Sequence, residues 1–90
     1  MKNYREFKIM VEYLIWLLKN EDNLTVIPKK WATISPYQKR RYKPQFQYPE
    51  VWLYRPEGHR GVAVTGDELE HYYLEGGYEK LKQVVKDYLF

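Results

Sequence analysis

The residues best suited to chemistry lie in the stretch SPYQKRRYKPQFQYPEVW, residues 35–52. This stretch holds four cations and five aromatic rings against a single acid, Glu50. Lysine and arginine neutralise phosphates, and tyrosine or phenylalanine rings can stack on unpaired bases. The combination predicts a nucleic-acid contact. The alternative interpretation is a solvated polar connection whose tyrosines pack on the core.

The distribution of charge along the chain favours an anionic partner. Residues 28–60 hold eight lysines and arginines against two acids, a net charge of +6 in a chain whose total is +3. Residues 1–27 are neutral, and residues 61–90 carry a net charge of −3. Such segregation points to nucleic acid, although an acidic protein surface would attract the same patch.

Patterns for catalysis and metal binding are weak by comparison. The chain has no cysteine, and its single serine, Ser35, has no glycine elbow around it. Asp67, His71 and Glu75 follow at four-residue steps and could share a helix face as metal ligands, but an exposed acidic face explains them as well. A small basic ribonuclease would need more strand than the sequence predicts. We therefore expect a non-enzymatic protein without catalytic residues, metal or other cofactor.

The N-terminal segment predicts an amphipathic helix. Asn3 and Glu6 have the spacing of an N-cap residue and its N3 partner. Apolar residues then recur at steps of three and four: Phe7, Met10, Val11, Leu14, Leu17 and Leu18. Tyr13 and Trp16 widen this apolar surface on one flank. A helix this apolar favours a homodimer seam, because aromatic anchors concentrate interface energy.

The basic stretch begins with a second helix signal. Ser35, Pro36 and Gln38 fit the N-cap, N1 and N3 positions of a helix. Pro44 ends it, because a proline disfavours helical backbone at the residue before it. Residues 35–42 are therefore predicted to form a short basic helix. The aromatic rings that follow it, up to residue 52, are expected to lie in the core.

Short strands are predicted on both sides of this stretch. The segment LTVIP, residues 24–28, favours a brief strand, and KKWATI after it is ambiguous. The segments EVWLYR (50–55) and GVAV (61–64) are rich in strand formers, and the loop between them contains Gly58. Together they predict a β-hairpin.

The C-terminal third predicts an interrupted helix. Thr65 and Glu68 have the spacing of a capping box, so a helix should open at about Gly66. Gly76 and Gly77 should break or bend it, because each costs a helix about 1 kcal/mol relative to alanine. The predicted class is α+β, with an N-terminal amphipathic helix, a short basic helix, a β-hairpin and C-terminal helices.

This order of elements resembles that of winged helix-turn-helix DNA-binding domains. In that family the helix before the hairpin enters the major groove, and the hairpin forms the wing. The segment ATISPYQKRRYK looks like the turn and the start of the recognition helix, with Ile34 as the buried turn residue. The resemblance implies duplex DNA as the partner of a transcriptional regulator. With the charge pattern, it gives nine candidate binding residues: Tyr37, Gln38, Lys39, Arg40, Arg41, Lys43, Arg55, His59 and Arg60.

Length and composition indicate one small globular domain spanning residues 1–90. The longest apolar run, Tyr13 to Leu18, is far shorter than the ~20 residues that span a bilayer, and the N-terminus lacks a signal-peptide pattern. We therefore expect a cytoplasmic homodimer with no membrane partner. The alternative function is a homodimeric protein-interaction or inhibitor module whose basic patch meets an acidic protein.

Replacing Arg40 and Arg41 together with alanine tests the nucleic-acid interpretation. Binding to duplex DNA, single-stranded DNA and RNA should weaken as salt rises, and the double variant should lower the salt slope by about two, since each phosphate contact contributes about one. Fluorescence anisotropy at two salt concentrations measures both effects. Absence of binding to all three nucleic acids at low salt would favour the protein-interaction alternative.

Overall fold

The computed structural model describes residues 3–34 and 47–90, and its elements confirm the α+β class. In chain order they are α1 (Tyr4–Asp22), β1 (Ile27–Ile34), β2 (Tyr48–Tyr54), β3 (Gly61–Thr65) and α2 (Gly66–Leu89). The strands form one antiparallel sheet in the order β1-β2-β3, and the β2–β3 hairpin is confirmed. The predicted basic helix over residues 35–42 lies outside the described residues.

Helix α1 begins as predicted. The Asn3 Oδ1 atom accepts hydrogen bonds from the backbone N–H groups of Arg5 at 2.9 Å and Glu6 at 3.2 Å. The helix ends at Asp22, and Asn23 takes the left-handed conformation of a C-cap with a φ of 55°. The predicted apolar stripe is confirmed by the buried residues Phe7, Val11, Leu14, Leu17 and Leu18.

Helix α2 has the predicted capping box and the predicted break. The Glu68 N–H donates to the Thr65 hydroxyl at 3.3 Å, and the Thr65 N–H donates to the Glu68 carboxylate at 3.3 Å. Gly76 and Gly77 depart from helical geometry, and Gly77 has a φ of 63° that disfavours any residue with a Cβ. The resulting kink lets both halves of α2 contribute to the core, through Leu69 on one side and Leu81, Val85 and Leu89 on the other.

Strand β1 is longer than predicted and occupies the place where the winged-helix resemblance implies a helix. The sequence predicts a brief strand at 24–28, whereas β1 runs from Ile27 to Ile34 and includes all of KKWATI. The helix–strand–helix order is compatible with a winged-helix-like arrangement, but the segment before Ser35 is a strand and not the first helix of a helix-turn-helix. Ile34 pairs with Tyr48 at the end of the sheet. Aromatic and β-branched residues suit such a strand, and its pairing with β2 is a long-range contact that local patterns do not reveal.

The two helices cover one face of the sheet. Val51 and Leu53 of β2 point into the core beneath them, so the alternate residues of the same strand point the other way. Within residues 3–34 and 47–90, no helix packs on this second side, and no helix is long and apolar enough to cross a membrane. We call this side the open face. Its residues are Ile27, Lys29, Lys30, Ala32, Ile34, Tyr48, Glu50, Trp52, Tyr54, Gly61, Ala63 and Thr65.

A buried ammonium group joins the end of α1 to the second half of α2. Lys82 is 5 % exposed, and its Nζ lies 2.6 Å from Glu21 Oε1, 3.2 Å from Asp22 Oδ2 and 3.6 Å from Glu79 Oε1. Lys86 Nζ lies 3.5 Å from the same Asp22 oxygen. The hydrogen bond from Lys82 is the main cause that lowers the pKa of Asp22, and the hydrogen bond with Glu21 is the main cause that raises the pKa of Lys82.

The Asp22 cluster predicts a specific loss of stability in acid. Because the folded-state pKa of Asp22 lies below the ordinary value of 3.8, its contribution is present above that value and is lost as the pH falls through the lower folded-state pKa. Urea midpoints between about pH 5 and about pH 2 should therefore fall more steeply for the native chain than for Asp22→Asn. The exposed Asp87→Asn is the matched control. Equal slopes for the native chain and Asp22→Asn would contradict the linkage.

Candidate nucleic-acid interface

Most of the sequence-predicted binding residues belong to the connection between β1 and β2. Tyr37, Gln38, Lys39, Arg40, Arg41 and Lys43 lie outside the described residues. The connection starts after Ile34 and returns at Tyr48 through Gln47, and Ile34 and Tyr48 are paired in the sheet. Both ends of the basic stretch are therefore attached to the same end of the β1–β2 strand pair.

The other three predicted residues lie in the loop between β2 and β3. Arg55, His59 and Arg60 are exposed there, next to the C-terminal end of α2. The Arg55 guanidinium lies 5.0 Å from the centre of the Phe90 ring and 3.6 Å from the Glu57 carboxylate. This loop follows the far end of the seven-residue β2, about 20 Å from the end at which the basic stretch is attached. The structure does not bring these three cations to the Ile34–Tyr48 end.

A β-bulge in β1 is the feature that sequence reasoning missed. Lys29 pairs with Trp52, but the next regular pair is Ala32 with Glu50, so β1 holds one extra residue. Lys30 supplies it with a φ of 59°, the left-handed conformation that glycine usually takes at such a bulge. A left-handed residue with a Cβ costs about 1–2 kcal/mol, so the chain accepts local strain at this lysine.

The bulge changes the side of the sheet on which the following residue lies. In a regular strand Trp31 would share the open face with Lys29, because side chains alternate. Instead its ring packs edge-on against Phe7 in the core, with 6.1 Å between the ring centres. The Lys8 ammonium lies 5.8 Å from the centre of the Trp31 ring. Trp31 therefore anchors the bulge from the helix side, and Lys29 and Lys30 both remain on the open face.

Each of these two lysines lies over an aromatic ring. Lys30 Nζ is 5.8 Å from the centre of the Trp52 ring, and Lys29 Nζ is 5.3 Å from the centre of the Tyr54 ring. The two rings lie side by side, with centres 6.5 Å apart and planes 26° from parallel. Tyr54 lies across Gly61, where a Cβ would come within 2.4 Å of the ring. The glycine thus lets the ring lie on the backbone of β3.

The open face is therefore an aromatic and cationic surface. The expectation that the rings after Pro44 lie in the core is wrong for Tyr48 and Trp52, which lie on the open side of β2 and outside the hydrophobic core. The alternation of Val51 and Leu53 with Trp52 and Tyr54 was the available signal. Among the open-face residues, Glu50 is the one acid.

The histidine on α2 takes part in a local contact. His71 Nε2 lies 2.7 Å from Glu75 Oε2, one helical turn away. Within the described ranges, no group of three histidine, aspartate or glutamate side chains is placed to hold a metal ion.

A second aromatic surface lies on the helices. Tyr13, Trp16, Tyr73 and Tyr78 form it, and we call it the helical aromatic patch. Tyr13 stacks on Trp16 at 5.8 Å between ring centres, and Tyr78 meets Tyr13 edge-on at 4.9 Å and Tyr73 at 5.2 Å. Burial, followed by the Tyr73 and Tyr13 hydroxyls, raises the pKa of Tyr78. Trp16 is nevertheless 55 % exposed, so the patch remains accessible.

Comparisons with protein-family models, with curated proteins and with solved structures each find no match to this chain. The two aromatic surfaces are therefore the features from which a function can be inferred.

The conformation of Lys30 gives a direct test of the bulge. Lys30→Gly removes the left-handed penalty and should keep the free energy of unfolding within about 1 kcal/mol of the native value, because glycine's entropy loss offsets the gain. Lys30→Val places a branched side chain in the same conformation and should destabilise the fold by about 2 kcal/mol or more. Urea unfolding measures both. Equal stability of the glycine and valine variants would contradict the left-handed bulge.

Proposed function

We propose that this protein binds single-stranded nucleic acid on its open face, without catalysing a reaction. The observation that carries the proposal is the placement of Lys29 and Lys30 over the rings of Tyr54 and Trp52. Aromatic rings on a sheet, flanked by cations, suit unpaired bases, because every base has a face that can stack and every nucleotide a phosphate that can be neutralised.

On binding, nucleic-acid bases would replace the lysine ammonium groups that lie over the two rings. Successive bases stack on Trp52 and Tyr54, each in the place that a lysine ammonium occupies in the free protein. The displaced ammonium groups of Lys29 and Lys30 then pair with the adjacent phosphates. Each stacked base contributes about 1–3 kcal/mol, and the phosphate contacts make the affinity depend on salt.

The shape of the site favours a single strand over a duplex. A major groove admits a helix or a two-stranded ribbon, whereas the open face spans three strands. The segment that carries the cations of residues 39–43 connects β1 to β2 between the paired residues Ile34 and Tyr48. The duplex-DNA regulator that the winged-helix resemblance implies is the competing outcome.

Two further parts of the proposal follow from the same residues. The open face carries one carboxylate and no histidine within the described ranges, so it lacks a paired general acid and base, and we propose binding alone. A cytoplasmic location fits a nucleic-acid partner and a chain without cysteine.

The helical aromatic patch supports a second candidate function, a protein-interaction module. Exposed tyrosine and tryptophan side chains are the usual anchors of protein interfaces. Trp16, at 55 % exposure, gives this surface an accessible apolar ring. Lys8 lies over the Trp31 ring and Lys80 over the Tyr72 ring, so neither ammonium group lies over a ring of the helical aromatic patch.

Substitution of the open-face rings separates the candidates. Trp52→Ala and Tyr54→Ala should each weaken binding of a labelled single-stranded oligonucleotide by about 5- to 160-fold, the equivalent of one lost stacking contact. Trp16→Ala, an equally large change on the helical aromatic patch, is the matched control and should leave the affinity unchanged. Fluorescence anisotropy with single-stranded and duplex oligonucleotides measures these affinities.

The opposite pattern would overturn the proposal. Tighter binding to duplex than to single strands, with no loss in Trp52→Ala, would favour the winged-helix model. Absence of binding to either nucleic acid at low salt would leave the protein-interaction module as the better candidate.

A further inference from the structure

The outer edge of β3 lacks the features that usually protect a sheet edge. Edge strands commonly carry proline, lysine or a bulge, because their unpaired backbone groups otherwise attract another strand. Strand β1, the other edge, has Pro28, two lysines and the bulge at Lys30. Strand β3 has the sequence GVAVT and none of these, and within the described residues no strand pairs with its outer side. The two edges therefore differ in their readiness to accept a strand.

The sequence of β3 is nearly symmetric about Ala63. In an antiparallel pair of two copies centred there, Val62 of one copy lies opposite Val64 of the other. Both valines pack partly against the core on the helix side, so the cross-strand pairs join two cores. On the open face Ala63 meets its own copy and Gly61 meets Thr65. No charged side chain within the strand opposes another in this register.

Charges beyond the strand ends are complementary in the same register. His59 and Arg60 precede β3, and the acidic first turn of α2, with Asp67 and Glu68, follows it. Antiparallel pairing of two β3 strands places the basic end of one strand beside the acidic end of the other, and this occurs at both ends of the strand pair. A foreign strand of arbitrary sequence would not offer this match, whereas a second copy necessarily does.

An apolar cavity of about 160 Å³ lies beside this edge, between β3 and α2. Its lining includes Val62, Val64, Leu69, Val84 and Tyr88. A strand added to the edge gains this apolar surface on the helix side as well as backbone hydrogen bonds along the strand. The seam therefore combines hydrogen bonding, apolar burial and charge pairing, as strand addition requires.

We propose that two copies of this chain join along β3 to form a continuous six-stranded sheet, with the two-fold axis at Ala63. Directly opposed residues of an antiparallel pair lie on the same face, so both open faces point the same way and form one extended surface. The seam differs from the helix-mediated dimer that the sequence predicts. Its existence does not rest on nucleic-acid binding.

Charge substitutions at the axis test this dimer. Ala63→Lys and Ala63→Glu each place like charges opposite one another and should weaken dimerisation about a hundredfold, because like-charge juxtaposition in an interface is strongly unfavourable. An equimolar mixture of the two variants should restore the dimer through opposite charges. The native chain and the mixture should sediment at twice the 11.1 kDa chain mass, and each variant alone at 11.1 kDa. Thr33→Lys, on the exposed part of the protected β1 edge, is the control and should remain dimeric.

Three outcomes would overturn the proposal. The first is a native chain that stays monomeric at all concentrations, as expected if a foreign segment covers the edge. The second is a dimer that Ala63→Lys leaves intact. The third is a mixture of the two variants that does not re-form the dimer. In the second case, dissociation by Trp16→Ser would assign the seam to the helical aromatic patch. Circular dichroism of Ala63→Lys reports its folding, and the oligonucleotide affinity of the native chain reports the open face, so a failed dimer and a failed nucleic-acid site are distinguishable.

Discussion

The extra residue in β1 determines which side chains this sheet presents to each side. At Lys30 the backbone accepts a left-handed conformation that costs about 1–2 kcal/mol. In return the half-buried ring of Trp31 packs against Phe7, and this partial burial contributes part of the about 1.5–3 kcal/mol that full burial of a large apolar side chain gives. The two effects are of similar size. The strain is therefore compatible with a stable strand, and its other consequence is that two successive lysines share the open face.

The rest of the molecule holds this strand in place. Strand β2 supplies buried residues to the helices and aromatic residues to the open face, so one strand belongs to both the core and the candidate site. The kink at Gly77 brings the second half of α2 back over the sheet, and Lys82 ties that half to the end of α1. Residues 3–34 and 47–90 form one small core, so the same few contacts fix both the fold and the open face.

Local signals in the sequence predicted α1 and α2 well. Asn3 and Thr65 act as caps because their side chains accept hydrogen bonds from nearby backbone groups, and the glycine pair breaks α2 through its own backbone freedom. The length of β1 and its bulge depend on pairing with β2, which is distant in sequence, so no local pattern reveals them. The site was missed for the same reason. Trp52 and Tyr54 were visible as an alternating pair, but the lysines that lie over them come from another strand.

The open-face site is tested most directly by following the three tryptophan indole N–H resonances by NMR while a short single-stranded oligonucleotide is added to isotope-labelled protein. The three rings report three different surfaces: Trp52 the open face, Trp31 the core side of the bulge, and Trp16 the helical aromatic patch. Stacking on the open face predicts a large shift of the Trp52 resonance at saturation and little change for Trp16. A shift of Trp16 with Trp52 unchanged would contradict binding of single strands on the open face.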